Sequence, residues 1–280
     1  LSVSLGAARD DYTVAAQVLG QQVQVSRVGV DGDWERALQL LRSADGQVAA
    51  IGLGGLWRPR DRRYQAAREV VRVSRFADGR RVRSLLARRA LAALEAHLNK
   101  TGATLEGRRA LLPCAADAAP LAENLAAFGC SIVAGDLLFV LGLPVPLRHA
   151  ATARYVAQLV ARMPLRGLSG PRGAAERWQA LAADADVLAV PRPGVLQAVG
   201  LAPEGKILVV EAADPVALAA LRQAGALAAI SAGPEVAGRC LEADAVEALL
   251  LAVSAKPEAE IAVDDLEAAT ARVPLRPVIR

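Results

Sequence analysis

Aromatic side chains are nearly missing: Phe, Trp and Tyr together make up 3% of the 280 residues. Proteins that hold single-stranded nucleic acid stack bases on such rings, so a nucleic-acid partner is not expected. Lysine is as scarce, with three against 30 arginines, a bias that a GC-rich genome accounts for. Cysteine occurs only at Cys114, Cys130 and Cys240. That number is odd and the spacing is not CxxC, which argues against a disulfide framework or zinc ribbon and fits a reducing cytoplasm. His97 and His149 are the only histidines, and no nucleophile elbow supports a Ser/His/Asp triad. No apolar run approaches the roughly 18 residues of a membrane span, and no signal peptide is visible. The expectation is a soluble, cytoplasmic protein.

What is present is a chain rich in core formers, 54% hydrophobic and 22% charged, with a formal net charge of +4. Its length suits one large domain or two ordinary ones. Positive charge gathers early: residues 58–89 carry 12 arginines against three acids. That field attracts phosphate, carboxylate or nucleic-acid backbone, and it equally describes a solvated face.

The pattern predicts a first strand over 1–6 and a β-hairpin over 12–28 whose two runs flank Leu19-Gly20-Gln21-Gln22. Asp33 is placed to cap a helix over 34–42. A continuous apolar strand over 47–53 runs into Gly54-Gly55, as buried parallel strands do. Helices at 62–73 and 84–100 flank a strand at 74–78. Strands at 109–115 and 130–134 enclose a helix at 120–128, and a helix follows at 149–163. From 164 a Gly/Pro/Arg-rich connection leads into alternating helices and strands, which means βαβ units. The expected fold is α/β: two Rossmann-like domains with mainly parallel sheets and a cleft between them. The N-terminal domain, with the hairpin, covers 1–163 and the C-terminal domain 164–280.

Ligands of open α/β sheets bind beyond the carboxyl ends of the strands. The residues that follow the expected strands are therefore the candidates. Gly52, Gly54 and Gly55 allow close backbone approach to an anion, with Gly79 and Gly135 in equivalent places. Arg62, Arg63, Arg148 and Arg239 suit carboxylate or phosphate contact. Asp78, Asp117 and Asp136, if they meet at one edge, suit acid–base work. Each has a plainer reading: a tight turn needing positive φ, a solvated arginine face, or helix capping. No G-x-G-x-x-G is complete, since Trp57 stands where the third Gly belongs, and no Walker A loop follows.

The opening SVSLG, the DGD turn at 31–33, GLGG at 52–55, Arg62-Arg63-Tyr64 and Asp78-Gly79 resemble a family of prokaryotic proteins labelled quinate 5-dehydrogenase. So do Asp117, Gly238-Arg239 and above all GDLLFVLGLPVPLR at 135–148. The resemblance spans nearly the whole chain. It implies oxidation of quinate, a small anionic metabolite, with NAD or NADP, although no dinucleotide fingerprint accompanies it. The chain departs from the family pattern at Arg80–Arg83, Glu211–Ala213 and Cys240–Asp244. Two readings stay open: a protein binding a small anionic metabolite in the cleft between its domains, or a non-catalytic ligand-binding or interaction homologue. No metal is assigned, and apolar C-terminal helices leave room for a homodimer face.

Overall fold

The structure, a computed structural model, describes residues 1–55, 62–113, 115, 118–135, 146–148, 152, 174–198, 200–273 and 277–279. It is an α/β fold of two mostly parallel sheets. The chain divides into two compact units, one of residues 1–86 with 233–276, the other of 87–232 with 277–280. The expected division at 163/164 is different: 87–163 groups with the later strands, and 233–276 groups with the first strands.

The first unit begins with β1 (Ser2–Ser4), β2 (Tyr12–Val18), β3 (Gln21–Gly29), α1 (Trp34–Ala44), β4 (Ala50–Gly54), α2 (Arg62–Val70), β5 (Arg75–Ala77) and the start of α3 (Arg80–Asn99). The strand order is β2-β3-β1-β4-β5. β2 is antiparallel to β3, and β1 runs parallel to both β3 and β4. The hairpin turn has positive φ at both Leu19 (50°) and Gly20 (81°), as two-residue turns matched to strand twist require. Asp33 caps α1, its Oδ1 accepting from the Arg36 N–H at 3.0 Å.

In the second unit come β6 (Arg109–Leu112), α4 (Ala119–Ala127), β7 (Ser131–Ala134), α5 (Ala174–Ala183), β8 (Val187–Val190), α6 (Gly194–Ala198), β9 (Ile207–Val210), α7 (Pro215–Gln223) and β10 (Ala228–Val236). Its strands run in the order β10-β9-β8-β6-β7. Alternate residues supply two cores. Ala110, Val187, Val209 and Ile230 pack with Leu91 and Leu94 of α3 and Leu121 and Leu125 of α4. Leu111, Leu188, Leu208 and Ala229 pack with Leu196 and Leu218. Helices on both faces explain why these strands read as unbroken apolar runs.

β10 is longer than its pattern suggests. It passes Gly233-Pro234 and turns at Ala237-Gly238 to pair with β11 (Arg239–Cys240). The chain then adds α8 (Ala243–Val253) and α9 (Val263–Arg272) to the first unit, before β12 (Pro277–Ile279) pairs with β10.

The first sheet is thus covered on both faces. Val3, Ile51, Leu53 and Phe76 pack with Leu38 and Leu41 of α1 and Ala67 of α2. On the opposite face Val25, Ala50 and Ala77 pack with Ala245, Val246, Leu249 and Leu266. Every residue of α8 from Asp244 to Leu251 is buried, as expected of a helix apolar nearly all round. Cys130 and Cys240 are buried too, and Cys114 lies outside the described residues. Among the described residues no helix is long and apolar enough to cross a membrane.

Candidate functional site

Among the described residues, the strongest concentration of buried polar groups lies within the first unit, where the amino end of α8 meets β1, β3 and β4. Strand alternation builds it. Val3 points into the α1–α2 layer, so Ser2 and Ser4 point the other way. Ile51 and Leu53 also join that layer, which turns Gly52 and Gly54 toward α8.

The glycines there seat the helix. A Cβ on Gly52 would lie 2.8 Å from both the backbone oxygen and Oδ2 of Asp244. One on Gly54 would lie 3.0 Å from Asp244 Oδ1 and 3.1 Å from Glu242 Oε2. At Gly79, with φ +80°, it would lie 2.7 Å from the Asp244 nitrogen. Real Cβ atoms do not tolerate the distances at Gly52 and Gly79, and at Gly54 the two carboxylates would have to give way slightly. The structure therefore brings Gly52, Gly54 and Gly79 together, and what they approach is the first turn of α8.

Asp244 is 4% exposed, and the Ser2 hydroxyl donates to its Oδ2 at 2.6 Å. Burial and the neighbouring Glu242 push its pKa up to about 7, against the opposing pull of Ser2 and Arg27. Arg27 is 3% exposed. Its Nη1 donates to Ala7 O and Asp11 Oδ1, both at 3.1 Å, and its Nη2 donates to Ser4 Oγ at 3.0 Å. Arg27 Nε faces Glu242 Oε1 at 3.6 Å. Tyr12 stands opposite Arg27 across the β2–β3 ladder. Its buried hydroxyl has no hydrogen-bond partner among the described residues, and burial, then Asp244 and Glu242, drive its pKa upward. Burial first, and the nearby charge of Glu242 second, is why Asp244 holds its proton so readily.

One turn along α8, Glu247 is 1% exposed and paired with Arg81 Nε. Burial raises its pKa, and the Arg81 bond offsets part of that. Arg81, one of the departures from the quinate dehydrogenase pattern, thus balances a buried acid.

The other predicted site residues are placed as follows. Asp78 accepts from its neighbour Arg80, through both the backbone N–H and Nε. Gly55, with φ +82°, abuts Leu5 rather than α8. Arg62 and Arg63 are exposed on α2, the helix that packs on the sheet face opposite the one Gly52 and Gly54 line. Arg239 is exposed on β11. Gly135 and Arg148 belong to the second unit; Gly135 is buried after β7, its N–H bonded to Leu112 O at 2.9 Å, and Arg148 is exposed. Asp117, Asp136 and His149 lie outside the described residues, and His97 is exposed on α3. Among the described residues no group of three or more His, Cys, Asp or Glu is placed to hold a metal ion.

Sequence reasoning missed Ser2, Ser4, Tyr12, Arg27, Glu242, Asp244 and Glu247 as a group. Two signals were present. Serines flank Val3 in an otherwise buried strand, and Asp244 and Glu247 interrupt a helix of Ala, Val and Leu.

The family described as "Domain of unknown function (DUF8754)" matches residues 81–280, and "Domain of unknown function (DUF8753)" matches 1–80. Neither description carries a quinate dehydrogenase label. No curated protein matches the chain. Among solved structures, the hetero-hexameric glutamate dehydrogenase from Thermus thermophilus, in its Leu-bound form, aligns over 94% of this chain and 80% of its own. The identity is 15% and the TM-score 0.44, a distance at which nothing about activity transfers.

Proposed function

The chain belongs to the DUF8754 family, a domain of unknown function, and we propose that it is a non-catalytic ligand-binding or interaction protein rather than a nicotinamide-dependent oxidoreductase. One observation carries this reading. Two of the glycines that a dinucleotide's pyrophosphate would approach in a Rossmann-type site, Gly52 and Gly54, lie against Asp244 and Glu242. Two carboxyl groups there block the approach sterically. This packing weighs against a phosphate cradle at Gly52 and Gly54.

Thermal-shift titration with NAD, NADP and quinate tests this. No saturable rise in Tm is expected from either nucleotide, alone or with quinate. Saturable stabilisation by NAD or NADP, with nucleotide reduction when quinate is added, would restore the oxidoreductase. A second reading rests on the exposure of Arg62 and Arg63 at the start of α2. A small anion is recognised there if quinate or inorganic phosphate raises Tm in the native protein and not in Arg62→Ala/Arg63→Ala.

A further inference from the structure

The two edges of the first sheet are built differently. At one edge β5 has only three residues, and the Glu258 carboxylate accepts from the Phe76 N–H at 3.1 Å. A short edge strand whose outward donor is already taken is a poor template for another chain. At the other edge β2 runs for seven residues. It pairs with β3 in one register from Tyr12↔Arg27 to Val18↔Gln21, with no bulge to interrupt it. Among the described residues no strand lies on its outer side, and no backbone hydrogen bond reaches it from there. Charge and proline commonly protect such an edge. Although 22% of the chain is charged, Tyr12–Ser26 contains neither a charged residue nor a proline.

The hairpin decides which groups the open edge presents. A two-residue turn makes its flanking pair, here Val18 and Gln21, the first to exchange both N–H···O bonds. Exchange recurs at every second pair, so Ala16, Val14 and Tyr12 also direct their backbone groups to β3. The N–H and C=O groups of Thr13, Ala15 and Gln17 therefore point outward. The side chains alternate in step. Thr13, Ala15 and Gln17 are exposed. Tyr12, Val14 and Ala16 are half-buried and, with the buried Val18, join the core beneath α8.

We propose that a second copy of the chain binds this edge, β2 against β2, antiparallel about a twofold axis at Ala15. The pairing is self-complementary. Ala15 meets its own counterpart, and Thr13 meets the partner's Gln17 on either side of the axis. Every outward backbone group is then used, in about six hydrogen bonds, whereas an axis at Val14 or Ala16 gives about four. The same register sets Tyr12 beside the partner's Val18 and Val14 beside the partner's Ala16. Apolar rim thus meets apolar rim, and polar residue meets polar residue. With one open edge on each copy, the twofold contact closes on itself and joins two five-stranded sheets into one. One strand from each subunit makes a small interface, so the dimer is reversible, with Kd on the order of micromolar.

Sedimentation velocity on the 280-residue chain, over about 1–200 µM, tests this. The mass should rise from one chain toward two. Ala15 is exposed, so Ala15→Lys keeps the fold and the Tm while setting two like charges opposite each other at the axis. Its Kd should rise about tenfold or more. Ala15→Glu should act alike, and an equimolar mixture of the two variants should recover the dimer. Amide exchange in the native chain should slow with concentration at Thr13, Ala15 and Gln17, and stay unchanged at Val14 and Ala16. A chain that remains monomeric over the whole range overturns the proposal. So does a dimer that Ala15→Lys and Ala15→Glu leave intact, because another face then holds it, and so does a mixture that recovers none.

Discussion

Asp244 is held out of water beside Glu242, with Ser2 as its hydrogen-bond donor and Arg27 beyond. Its pKa rises from an ordinary 3.8 to about 7, so the folded protein keeps a proton that the unfolded chain releases. The sign follows from linkage. Below about pH 4 both states are protonated and the site has no pH-dependent effect. From there to about 7 the native state binds more protons, and stability falls as pH rises. Above 7 the full penalty, on the order of a few kcal/mol, remains. Asp244→Asn keeps the volume and removes the titration. Urea unfolding from pH 4 to 8 should show a flatter profile for the variant, with the variant the more stable at pH 8. A wild-type profile that does not fall relative to Asp244→Asn would refute a buried, titrating Asp244. At this scale the sequence was legible in part. Asp33 as a cap and a hairpin turn holding Gly20 follow from local chemistry. The burial of Arg27 does not, because its partners Asp11 and Glu242 are 16 and 215 positions away.

At the scale of the element, α8 explains why the glycines are where they are. Its apolar composition was readable from sequence, and so was the strand before Gly54-Gly55. Which strands it would cover was not, because periodicity carries no information about contacts between residues 54 and 244. The GLGG pattern was accordingly open to a ligand reading and a packing reading. At Gly54 the close neighbours are side-chain atoms of Asp244 and Glu242, which makes a clean double-mutant cycle. Gly54→Ala should destabilise the protein by about 1–3 kcal/mol through overpacking. In an Asp244→Ala background that penalty should shrink by about 1 kcal/mol or more. Equal penalties in the two backgrounds would mean that Asp244 does not occupy the space beside Gly54.

For the whole molecule, the alternation of strands and helices gave the α/β class, and the parallel second sheet bears it out. The division of the chain was less visible. The two family matches meet at 80/81, close to the first unit's edge at Leu86, yet residues 233–276 also belong to that unit. They bring the only helices among the described residues that pack on the α8-facing side of the sheet besides the start of α3. Without them Ser2, Ala50, Gly52 and Ala77 lose their cover, and an uncovered sheet of this size does not hold its fold.

The first sheet, with strands between Ser2 and Ala77, is completed by α8, a helix far along the chain at Ala243–Val253. Thermal unfolding of fragment 1–86, alone and with peptide 233–276, tests it most directly. The fragment alone should show no cooperative transition, and the mixture a cooperative, peptide-dependent one. A cooperative transition in fragment 1–86 by itself, unchanged by the peptide, would contradict it.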